Sequence, residues 1–87
     1  MKMIIAILRD MDSDPVTGAL TGGHFRVTRI ASTGGLLRHG VTTLLVGVED
    51  DQVEAAIQVM KEACKPATHG EKRATVFVVP VVTFDQV

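Results

Sequence analysis

Apolar positions come in short blocks along the chain, and their period changes from block to block. Residues 3–8 (MIIAIL) form a continuous apolar run closed by Arg9 and Asp10, the pattern of a short strand buried on both faces. In the following DSDPVTGALTGG, Val16, Ala19 and Leu20 recur at helical spacing. Ser13 or Asp14 is placed to cap a helix, Pro15 suits its first position, and Gly22-Gly23 ends it. Phe25 to Ala31 (FRVTRIA) alternates as a strand does, and its polarity is that of a sheet edge. Val41 to Val48 (VTTLLVGV) is a β-branched run.

After it, Glu49, Asp50 and Asp51 sit where a helix dipole favours acids, and Val53, Ala56, Ile57, Met60 and Cys64 share one helical face. Pro66 halts that helix, and residues 65–73 (KPATHGEKR) read as a loop. Ala74 to Val82 (ATVFVVPVV) is a last strand, with Pro80 marking its edge or its end. The order β-α-β-β-α-β predicts an α+β, ferredoxin-like single domain over residues 1–87. In that fold a four-stranded antiparallel sheet carries two helices on one face. The first, third and last strands are nevertheless apolar on both faces. The uncovered face then needs a partner, and a symmetric homo-oligomer is the economical one.

Composition narrows the function classes. Nine basic residues against ten acidic ones give a net charge of −1, without the basic stripe that nucleic-acid polymers select. A single cysteine, Cys64, rules out an internal disulfide and suits a reducing compartment. The apolar run near the start is too short for a signal peptide or membrane span, so a soluble cytoplasmic protein is expected.

Local chemistry is sparse. Asp10, Asp12 and Asp14 resemble the opening of a calcium loop, but Pro15 stands where glycine is required and Thr21 where glutamate is. Helix-capping, solvated carboxylates are the expectation there. His24, His39 and His69 match no compact ligand spacing with Cys64, so no metal site is assigned. Neither a catalytic constellation nor a conventional nucleotide-binding motif is present, and an enzyme is not indicated. What remains is STGGLLRHGVTT, residues 32–43. Its Gly34-Gly35 and Gly40 make a longer excursion than a tight hairpin needs and leave backbone N–H groups able to converge on an anion. From residues alone, a plain turn and a ligand loop are both open.

The segments MKMIIAI, FRVTRIASTGG, LLRHG, TTLLVGVEDDQVE and ATVFVVPVVTF together resemble the PII-like cyclic di-AMP receptor family over nearly the whole chain. The resemblance implies a homotrimeric signal-transduction protein with no cofactor, binding cyclic di-AMP or a related nucleotide in clefts between subunits and acting on a protein partner not identified by sequence. It implies Arg26 and Thr28 from the FRVT strand as ligand contacts, with Gly35, Leu36 and Leu37 from the TGG loop. Gly47 after TTLL and Gln86 near the terminus complete the implied set. Three positions depart from the family pattern. Leu36 replaces an aromatic whose stacking on a base is worth about 1–3 kcal/mol, Val41 replaces an asparagine, and the 65–73 connection replaces a long excursion. Alternatives are a metal-binding trimer resembling the divalent-cation-tolerance proteins, drawing on His24, His39 and Cys64, and a structural trimer without ligand.

Overall fold

The computed structural model describes residues 1–32, 40–66, 72–83 and 85–87, with Ala31 and Ser32 described by backbone alone. Gly35, Leu36, Leu37, His39 and His69 therefore lie outside the described residues. The chain runs β1 (Lys2–Arg9), α1 (Asp10–Gly22), β2 (Arg26–Ser32), β3 (Val41–Val48), a 3-10 turn (Asp50–Gln52), α2 (Val53–Ala63) and β4 (Ala74–Pro80). The strands form one sheet in the order β2-β3-β1-β4, and every neighbouring pair is antiparallel. This is the expected α+β, ferredoxin-like arrangement.

Register explains which face is covered. Ile4, Ala6 and Leu8 on β1 lie opposite Val46, Leu44 and Thr42 on β3, and all six are buried. Val16 and Leu20 of α1 and Ala56 and Met60 of α2 complete that core, with Cys64 at its margin. The alternate β1 residues Met3, Ile5 and Ile7 are only half-buried. Burial of β1 on both faces, expected from its continuous apolar run, thus holds for one face of the single chain. On the other face Phe77 and Val79 of β4 are 52% and 37% exposed and Val41 is 44% exposed. Such a patch is unusual for an isolated chain.

Helix α1 begins earlier than the capping residues suggest. Arg9, in extended conformation, precedes the first turn without a side-chain cap. The turn is held instead by distant parts of the chain. Asp10 N–H donates to the Gly40 carbonyl at 3.1 Å, and the Thr42 hydroxyl donates to the Asp10 carboxylate. Asp12 is fully buried, not solvated. Its carboxylate accepts Arg9 Nε at 2.7 Å and the Lys65 backbone N–H at 2.9 Å, while Arg9 Nη2 reaches the Lys65 carbonyl at 2.6 Å. Asp14 alone of the three acids is exposed, and it accepts from Arg29 at 2.9 Å. Pro15 consequently falls inside the helix rather than at its start.

The other end of α1 sets the entry to β2. Phe25 N–H donates to the Leu20 carbonyl at 3.0 Å and His24 N–H to the Thr21 carbonyl at 3.0 Å, the paired bonds of a Schellman ending. The left-handed residue this ending demands is His24, with φ 68°, and not one of the two glycines before it. Gly23 has a different role. A Cβ there would stand 3.3 Å from the Phe25 ring, so any other residue would oblige the ring to draw back from the helix end.

Candidate functional site

Because the helix ends on this turn, β2 starts with Arg26 on the uncovered face of the sheet. Its register partner is Gly47, and that of Thr28 is Leu45; Met3 of β1 lies opposite Gly47 from the other side. The chain beyond β4 returns to the same end, since Val81 N–H donates to the Met1 carbonyl at 3.1 Å and carries the pairing past Pro80. Gln86 is thereby brought over the sheet. These pieces enclose a cavity of about 750 Å³ lined by Arg26, Thr28, Gly47 and Gln86, with Met1, Met3, Phe25 and Leu45 among its apolar walls. A smaller hollow of about 310 Å³ adjoins it, sharing Arg26, Phe25, Gly47 and Met1 and extending past His24, Glu49 and Gln52.

Each polar group has a definite capacity. Arg26 presents a planar cation whose fork matches phosphate oxygens. The Thr28 hydroxyl donates and accepts, and the Gln86 amide can do both toward a base edge. Gly47 contributes absence: a Cβ there would meet nothing nearer than Met1 Cε at 4.0 Å, so fold packing does not demand glycine at this position. What its missing side chain leaves is room in the cavity.

The rim beside Gly47 is pinned by charge. The N-terminal ammonium of Met1 lies 2.9 Å from Asp50 Oδ1 at the start of the 3-10 turn. Hydrogen bonding from that ammonium, then its charge, hold the Asp50 carboxyl below the usual carboxylate range, with a smaller contribution from Lys2.

Of the seven residues the sequence resemblance implicates, the cavity brings together four, Arg26, Thr28, Gly47 and Gln86; Gly35, Leu36 and Leu37 are outside the described residues. Met1, Met3 and Phe25 were missed, because apolar residues within or beside strands read as core. The one signal for Phe25 was its place directly before Arg26. The residues of the metal alternative are not brought together: His24 borders the hollow beside Gly47, whereas Cys64 lies near Ala74, which pairs with Leu8 at the far end of β1. Among the described residues no three of His, Cys, Asp and Glu gather as a metal ion requires. No helix among them is long and apolar enough to cross a membrane.

Comparison with known proteins adds two findings. The model of the cyclic-di-AMP receptor family matches residues 1–69, ending within the short 65–73 connection where the family pattern was already broken. Among solved structures, a functionally unknown protein from Pediococcus pentosaceus ATCC 25745 superposes with a TM-score of 0.76 at 29% identity, covering 99% of this chain and 96% of that one.

Proposed function

The chain belongs to the cyclic-di-AMP receptor family, which is PII-like, and from that premise we propose that it is a non-catalytic, cytoplasmic signalling protein that binds cyclic di-AMP between the subunits of a homotrimer. The observation that carries this reading is the convergence of Arg26, Thr28, Gly47 and Gln86 on one cavity of about 750 Å³. Those residues come from two strands and the C-terminal segment, so sequence proximity does not account for it. The volume is within the range of about 300–1,000 Å³ usual for small-molecule sites.

The chemistry divides among them. Arg26 takes a phosphate of the ligand, Thr28 adds a hydrogen bond beside it, Gln86 meets a base edge, and the space over Gly47 admits the purine. Phe25, Met3 and Leu45 supply apolar wall. The half-exposed Phe77, Val79 and Val41 on the same face support burial of this side of the sheet against other copies of the chain, with each cleft closed by a neighbouring subunit. Ligand occupancy then changes a surface offered to a protein partner, in the manner of an order–disorder switch.

Isothermal calorimetry with cyclic di-AMP tests the reading. Saturable binding supports it, and absence of heat or saturation at millimolar ligand overturns it.

A further inference from the structure

A second cavity, of about 370 Å³, opens between α2 and the edge strand β4. It exists because the helices underfill that edge: β4 turns Ala74, Val76 and Val78 toward the helix side in register with Leu8, Ala6 and Ile4, yet Val78 stays 41% exposed while its partner Ile4 is fully buried. The cavity shares no lining residue with the one around Arg26. It also lies at the opposite end of the sheet, since Ala74 pairs with Leu8 while Met3 lines the other, and five strand residues span about 17 Å.

Its lining is divided by chemistry. Ile57 and Met60 of α2 and Val76 of β4 form an aliphatic floor, Lys61, Lys72 and Arg73 stand around it, and among the described residues no carboxylate lines it. Among the described residues none of these three cations is ion-paired. Two of the carbonyls at the end of α2, which would repel an anion, are engaged: Met60 O accepts from Cys64 N–H at 3.1 Å and Lys61 O from Arg73 Nη1 at 3.3 Å. The latter bond also places the guanidinium at the mouth. Burial, then the neighbouring Asp12 charge, push the Cys64 thiol up, so the wall carries a neutral thiol and not a competing anion.

Three cations beside an aliphatic floor match a ligand of two halves. We propose that this cavity binds a small amphipathic organic anion, its charged head on Lys61, Lys72 and Arg73 and its aliphatic body against Ile57, Met60 and Val76. The site stands whether or not cyclic di-AMP binds at Arg26.

Titration of the intact ¹⁵N-labelled protein with octanoate, octanol and inorganic phosphate tests it. Octanoate is expected to give saturable amide shifts centred on Lys61, Cys64, Ala74 and Val76. Octanol and phosphate, each carrying half the recognition, should bind at least about tenfold more weakly, and Arg73→Gln or Lys61→Gln should weaken octanoate about tenfold. Octanoate shifts that do not saturate, or that centre on the open face around Phe77, overturn the proposal. Octanol or phosphate binding as tightly as octanoate, or both variants binding it as tightly as the parent, overturns it equally.

Discussion

Arg26 and Gly47 face each other across the β2–β3 pair, so the cation of the candidate site stands beside the position where the sheet has no side chain. That juxtaposition separates binding from stability. Arg26 is exposed on an edge strand, and a Cβ at Gly47 would touch only the far end of Met1.

Arg26→Ala should therefore leave unfolding within about 0.5 kcal/mol of the parent while weakening cyclic di-AMP by about tenfold or more, as expected for loss of a charge-assisted phosphate contact. Calorimetry beside urea denaturation reads both quantities. Equal affinity in the variant would remove Arg26 from the site.

Gly47→Val is the complementary change. Valine suits a strand better than glycine, so stability should hold or rise slightly, while the added side chain occupies the cavity and reduces binding. A variant that unfolds, or that binds undiminished, contradicts this assignment of Gly47.

His24 holds a left-handed conformation that costs a side-chain-bearing residue about 1–2 kcal/mol, part of which glycine returns as unfolded-state entropy. His24→Gly is expected to stabilise the fold by about 0.5–1 kcal/mol in denaturant titration. Gly23→Ala should do the reverse, because the Phe25 ring 3.3 Å from the new methyl has to shift.

Asp12 is fully buried and is hydrogen-bonded by both Arg9 and the Lys65 backbone. Replacing it by Ala takes the carboxylate from the half-buried Arg9 guanidinium and leaves the Lys65 backbone donor without its acceptor, and should cost about 3–5 kcal/mol. Asp12→Asn, which retains an acceptor for Lys65 N–H, should cost less. Equal and small losses in the two variants would show that the network holds nothing.

The Asp50 carboxyl is depressed in the folded protein by the Met1 ammonium. Its contribution is thus present above the ordinary carboxylate pKa and is lost as pH falls through the lowered folded value. Asp50→Asn should flatten that part of the acid limb of stability. The difference should fade in about 1 M salt, where screening reaches about 3 Å.

How far the sequence carried the fold depended on whether a segment's reasons were local. β3 was legible residue for residue, Val41–Val48, because a β-branched run bounded by Gly40 and Glu49 admits little else. The start of α1 was not. Arg9 and Asp10 look like a polar stop, and what makes a helix begin there is the Gly40 carbonyl from across the sheet and an Arg9–Asp12–Lys65 network spanning residues 56 apart. Near the site the same division holds. Arg26 and Thr28 stood out within the FRVT string and Gly47 after TTLL, whereas Met1, Met3 and Phe25 became wall residues only once β1, the Schellman turn and the C-terminal return were in place.

A crystal structure of the protein with cyclic di-AMP decides whether the ligand sits on Arg26 over Gly47. The expected result is a trimer with a ligand phosphate on the Arg26 guanidinium, a base in the space over Gly47 within reach of Gln86, and a neighbouring subunit closing the cleft. A ligand bound away from Arg26, or a monomer whose open sheet face stays bare, contradicts it.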